Sequence, residues 1–274
     1  MEPIMALLLL LSIGIGICVF WPGYRLRRAI AHAFPSQFSK ILRRNLPVYS
    51  RMPVDLQLQL KRLIKQFLHQ KKFVGCGGQV ITDEIRVTIA AKACMLLLNR
   101  PTAVYPGLKF VLVYPTAFVA PRVETGLGGG VTHANQTLSG ESWSDGRVIL
   151  AWDHVRNDAI TSTQLSDGHD VVLHEFAHQL DSETGASNGV PYLSNRESYR
   201  RWSQIFSIEF EALKSAAATN QFSVLDHYGA SNPAEFFAVV TEAFFEKSMD
   251  LARFHPELFE QVRAYYQVDP RHWN

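Results

Sequence analysis

With 274 residues, 47% of them hydrophobic and 19% charged, the chain can bury one substantial core, so a single main globular domain is the starting expectation. Its 27 basic and 25 acidic side chains leave a formal charge of +2, too balanced for a dedicated nucleic-acid binder, and no nucleic-acid partner is expected. Cys18, Cys76 and Cys94 are odd in number and widely spaced, which argues against both a disulfide framework and a thiolate metal site.

The N-terminus stands apart in composition. Ile4 to Trp21 is an uncharged run of eighteen residues, just long enough to span a bilayer. Residues 21 to 54 then carry Arg25, Arg27, Arg28, Lys40, Arg43, Arg44 and Arg51 without an Asp or Glu. By the positive-inside rule this flank stays on the cytoplasmic side. A cleaved signal peptide is the alternative, but its charge belongs before the apolar run, where Met1-Glu2-Pro3 brings an acid instead. The expected organisation is a transmembrane anchor over residues 1–22, a basic juxtamembrane linker with several prolines over 23–54, and a globular domain over 55–274.

From Asp55, Leu56, Leu60, Leu63, Ile64, Phe67 and Leu68 recur at helical spacing. Cys76 lies in Gly75-Cys76-Gly77-Gly78, which reads as a flexible turn rather than the setting of a nucleophile. A second helix is expected from Asp83 to Leu98, and strands over Phe110 to Tyr114 and, after the turn signal Ser144-Asp145-Gly146, over Arg147 to Trp152. Gly126-Leu127-Gly128-Gly129-Gly130 opens no helix, so it reads as a loop and not a phosphate cradle. Beyond residue 165 the pattern turns helical: Asp170 to Leu180, Glu197 to Ala218, Pro233 to Glu246 and Pro256 to Tyr266. A small mixed sheet followed by helices is an α+β arrangement.

Within Val171-Val172-Leu173-His174-Glu175-Phe176-Ala177-His178, the two histidines are four apart and project from one face of a helix at adjacent turns. Both imidazoles can then reach one ion. A catalytic zinc takes three protein ligands and keeps a position for water, and Glu175 is placed to take a proton from that water. Asp167 and Asp170 are available as N-caps, and Val171, Val172, Leu173 and Leu180 supply a buried side. His133, His154, His169 and His227 lack a partner at metal spacing and receive no role.

The third ligand has to come from elsewhere, because the residue six beyond His178 is Thr184 and not a histidine. Glu235 and Glu242 lie seven apart on one face of an apolar helix. With Asn232 as N-cap and Pro233 at the first helical position, Glu235 also fits the third position of a capping box, so ligand and cap both stand on spacing alone. Glu242 is either the ligand instead or an acceptor for a histidine N–H. Tyr228 reads as an ordinary loop tyrosine, and Asp181 as either a surface aspartate or a brace for the helix end.

His174-Glu175-Phe176-Ala177-His178-Gln179-Leu180-Asp181, taken with Tyr228-Gly229-Ala230-Ser231-Asn232-Pro233-Ala234-Glu235-Phe236-Phe237-Ala238, resembles the Mlc titration factor family of zinc peptidases. The same pair of motifs resembles the catalytic domain of anthrax lethal factor. The resemblance runs from about Asp55 to Asp269. It implies a zincin-like domain in which His174, His178 and Glu235 hold Zn2+, Glu175 is the general base, and Tyr228 faces the substrate carbonyl. It implies aminopeptidase activity on a peptide or protein substrate, and a transcription-regulator partner in the manner of Mlc.

Joined to the apolar N-terminus, these features give the expectation of a single-pass protein of a bacterial inner membrane, its gluzincin-type domain facing the cytoplasm. The strand Arg147 to Trp152 is expected to offer the edge to which substrate backbone adds. The alternative from another class is a metal-containing binding module that sequesters a transcription regulator. An intact Glu175 argues for the enzyme, since a structural site needs only ligands.

Overall fold

A computed structural model describes residues 2–125, 131–138, 140–143, 146–161 and 169–273. Strand β1 (Lys72–Gly75), helix α4 (Asp83–Met95) and strand β2 (Phe110–Tyr114) form a parallel βαβ crossover. It follows α1 (Glu2–Ala31), α2 (Ser36–Asn45) and α3 (Val54–Gln70). A separate antiparallel hairpin, β3 (Phe118–Thr125) with β4 (Val131–Leu138), comes next. Then follow β5 (Gly140–Trp143), β6 (Arg147–Ala151) and α5 (Trp152–Thr161). The main sheet has the order β1-β2-β6-β5, parallel except for the antiparallel β5–β6 pair. The second half is helical: α6 (Val171–Asp181), α7 (Arg196–Ala218), α8 (Pro233–Glu246), α9 (Ser248–Phe254) and α10 (Pro256–Tyr266). This is the expected α+β fold with a small mixed sheet. The glycine run 126–130 and Asp167 lie outside the described residues.

Helix α4 is buried on nearly every side, its Ala90, Ala91 and Ala93 permitting close approach of its neighbours, and it carries the buried Lys92. Lys92 Nζ pairs with Asp170 Oδ2 at 2.7 Å, both side chains out of solvent. In the helical half, Trp202 stacks on Phe206 at 3.9 Å between centroids and meets Phe237 and Tyr265 edge-on. Each such buried apolar side chain contributes about 1.5–3 kcal/mol. Between α6 and α7, Gly189 sits at φ +76°, where a Cβ would lie 2.3 Å from the Pro233 carbonyl oxygen. Its N–H donates to the buried Asp181 Oδ2 at 2.8 Å, and its carbonyl accepts the Trp202 indole N–H at 3.0 Å. Asp181 is therefore a brace, not a surface residue.

The N-terminal third differs from expectation. Among the described residues, no helix is long and apolar enough to cross a membrane. This overturns the transmembrane anchor and with it the single-pass inner-membrane placement. The uncharged run Ile4 to Trp21 stands near the lower limit of about 17 residues for a span. Beyond the apolar run, α1 continues without a break through Arg25, Arg27 and Arg28.

The segment expected to be a linker is also largely folded. Ile41, Leu42, Leu46, Tyr49 and Met52 are buried in the core, and Asn45 Nδ2 donates to Thr88 Oγ1 on α4 at 2.8 Å. The core therefore begins upstream of Asp55.

Candidate active site

Helix α6 is set in place from its first turn. The Asp170 side chain accepts the N–H groups of Val172 and Leu173 at 3.0 and 3.1 Å, while its other oxygen takes Lys92. Val172, Leu173, Phe176, Ala177 and Leu180 are buried, which turns His174 and His178 toward α8. At the start of α8, Asn232 caps the helix by accepting the N–H groups of Ala234 and Glu235, with Pro233 at the first position. The Glu235 carboxylate turns to the histidines.

Three atoms converge there. His174 Nε2 lies 3.0 Å from Glu235 Oε2 and 3.2 Å from His178 Nε2, and His178 Nε2 lies 3.4 Å from Glu235 Oε2. A tetrahedral ion with bonds of about 2.0–2.1 Å needs its donor atoms about 3.3 Å apart, so the trio fits such an ion in both spacing and donor type.

Glu242, seven residues along α8, is almost fully buried. Its Oε1 lies 2.6 Å from His174 Nδ1, an acceptor on the side of the ring away from Glu235, and its Oε2 accepts the Asp170 N–H at 2.7 Å. Burial alone would raise its pKa, but hydrogen bonds from His169 and His174 outweigh it and hold the carboxyl below its usual range. Glu235 is likewise held below its usual range, burial being overcome by the hydrogen bonds and charges of His174 and His178. Glu175 goes the other way: burial raises its carboxyl to about 7 against the opposing pull of His174 and His178, with Glu235 and Glu141 adding to the rise.

Tyr228 sits on a 3-10 turn, His227–Ala230, whose start Asp226 fixes by accepting the Tyr228 N–H at 2.6 Å. The tyrosine is half-exposed, with its ring centroid 6.0 Å from that of His174. An open cleft of about 270 Å³ is walled by His174, Glu175, His178, Tyr228 and Glu235 on one side and by Gly140, Glu141 and Ser142 on the other.

Residues 21–267 match the model of the glucose-regulated metallo-peptidase M90 family. The chain belongs to this family. An uncharacterized protein of Synechocystis sp. is 40% identical over 269 residues, 96% of this chain and 97% of its own length. Mlc titration factor A of Yersinia pestis and that of Yersinia pseudotuberculosis are each 30% identical over 231 residues, covering 82% of this chain and 83% of theirs. Membership in M90 brings the expectation of a metal, and the two imidazoles and one carboxylate are the described group suited to hold it.

The structure also corrects the expected substrate edge. Strand β6, over Arg147–Ala151, is interior, paired on both sides by β2 and β5, whereas β5 is the edge strand beside the cleft. At Gly140 a Cβ would lie 2.6 Å from Glu175 Oε1 and 2.7 Å from Val171 Cγ2, so only glycine lets the strand pass this close to α6. Gln179 on α6 donates to Ser142 Oγ at 2.7 Å and fixes the other end. Sequence reasoning passed over Lys92, Gly140, Glu141, Ser142 and Asp226. A four-residue strand with one apolar residue has no alternation to detect, although the glycine after Leu138-Ser139 was a visible sign of close backbone approach.

Proposed function

We propose that this chain is a zinc-dependent peptidase of aminopeptidase type, with His174, His178 and Glu235 as the metal ligands, Glu175 as general base and Tyr228 as a catalytic hydrogen-bond donor. The observation that carries this reading is the convergence of two imidazole nitrogens and a carboxylate oxygen at 3.0–3.4 Å, with a buried glutamate one residue from the first histidine. When bound, the ion supplies Lewis acidity to the scissile carbonyl and to water.

The residues divide the remaining work. The β5 edge offers main-chain N–H and C=O groups to an extended peptide and lays its carbonyl across the cleft. Glu175 takes the proton of the attacking water and later delivers it to the departing amine, a role that suits a carboxyl lifted toward neutrality by burial. Tyr228, on its Asp226-anchored turn, donates to the oxygen on which charge develops. Glu242 keeps His174 in one tautomer and one orientation.

The test is elemental analysis with a peptidase assay on wild type and Glu175→Gln. About one zinc per chain is expected in both, with turnover only in the wild type. Equal turnover would remove Glu175 from its role, and absence of zinc after re-addition would remove the metal site. A second reading rests on the relatives named Mlc titration factor A: a binding module that sequesters a transcription regulator. On that reading, Glu175→Gln retains regulator binding, and hydrolysis is absent from the wild type as well.

A further inference from the structure

Glu141 has no part in the chemistry assigned above. It stands on the edge strand β5 between Gly140, which passes against Glu175, and Ser142, which is fastened to Gln179. It lines the same cleft as the two histidines, Glu175, Tyr228 and Glu235. Its Oε2 is buried and accepts no hydrogen bond from the described residues. A buried carboxylate oxygen without a donor is costly. No Lys or Arg stands among the described lining residues. The group that suits this place is a cation with N–H donors brought in from outside.

An extended peptide brings one such cation at a fixed distance from its first scissile carbonyl, because the terminal nitrogen is joined to that carbonyl carbon through a single Cα. On the protein side, Glu141 lines the cleft together with the proposed base and the two histidines. We propose that the Glu141 carboxylate receives the free α-ammonium of the substrate and thereby confines hydrolysis to the first peptide bond. The proposal rests on the reading of this cleft as a peptidase site, and it makes Glu141 a specificity-determining residue.

Zinc-loaded full-length protein is assayed on alanine 4-nitroanilide, its N-acetyl derivative and N-acetyl-lysine 4-nitroanilide. Only the free amine is expected to be hydrolysed, a comparison that needs no variant. Glu141→Gln should raise KM for it by about 10- to 100-fold, the scale of a hydrogen bond to a charged group, with zinc content unchanged. Glu141→Asp, which keeps the charge, should recover part of the loss.

Calorimetry provides a readout apart from turnover. Leucinamide should bind Glu175→Gln protein about tenfold more tightly than it binds the protein carrying Glu141→Gln as well. Hydrolysis of the N-acetyl-alanine substrate at the free-amine rate overturns the proposal, as does unchanged KM and leucinamide affinity in Glu141→Gln. Cleavage of N-acetyl-lysine 4-nitroanilide that depends on Glu141 overturns it too, in favour of a side-chain amine. If wild type hydrolyses nothing yet leucinamide binds through Glu141, the peptidase reading falls and the amine site stands. If neither occurs, both fall.

Discussion

The two glutamates of α8 have different work although they share a face. Glu235 Oε2 reaches both imidazoles, whereas Glu242 meets the far nitrogen of His174, the Asp170 amide and His169. Glu235→Gln should therefore bind zinc far more weakly and lose activity, yet melt near wild type when both proteins are metal-free, because Asn232 remains as cap. Glu242→Gln should lower metal affinity by about 10- to 100-fold while leaving the three proposed ligands present. Metal titration against a chelating competitor separates the two, and the reverse order of effects would move the ligand to Glu242. The histidine spacing was legible from sequence because four residues along a helix admit one geometry. The choice between cap and ligand for Glu235 was not, because both uses of a third-position glutamate have the same spacing.

Glu175 gives a pH signature of its own. Its carboxyl is raised from 4.5 to about 7 by burial, so the folded protein holds a proton that the unfolded chain releases. The contribution to stability is present below about pH 4.5 and is lost as pH rises through about 7, a change on the order of 3 kcal/mol. In metal-free protein, the melting temperature of wild type should fall relative to Glu175→Gln across that window. Parallel pH profiles for the two would show that Glu175 is not buried as described.

At the scale of elements, the cleft depends on how closely β5 can approach α6. The Gly140 Cβ position is already occupied by Glu175 and Val171 side-chain atoms. Gly140→Ala must push the strand or Glu175 aside, and a displacement of about 1 Å in a catalytic site costs on the order of 100-fold in rate. The expected outcome is zinc content like wild type with turnover reduced by roughly that factor. Near-normal turnover would mean that β5 does not form the substrate wall.

Long amphipathic elements such as α3 and α7 were readable from their 3.6-residue period, and α6 from its apolar side. Residues 23–54 were misread because their prolines looked like linker punctuation. Pro35 and Pro53 instead stand just before α2 and α3, and Pro47 opens a 3-10 turn, all positions where a missing N–H does no harm.

For the molecule as a whole, the boundary of the folding unit follows from burial. Met5, Leu7, Leu10 and Leu11 on α1 are exposed, while Ile41, Leu42, Leu46, Tyr49 and Met52 are in the core. Removing residues 1–22 should leave the melting temperature within a few degrees of wild type. Removing residues 1–54 takes away apolar packing on the order of 10 kcal/mol, as large as the whole net stability of a typical domain, and should abolish the cooperative transition. A sharp melt in the shorter protein would place the start of the domain back at Asp55.

Gly189 ties three helices together through one residue: its amide is held by Asp181 at the end of α6, its carbonyl by Trp202 of α7, and its α-carbon lies against Pro233 at the start of α8. Its neighbours from Glu183 to Asn188 are exposed, yet Gly189 is buried. In hydrogen–deuterium exchange the Gly189 amide should therefore persist on the timescale of the core helices, a slow proton inside an otherwise exposed segment.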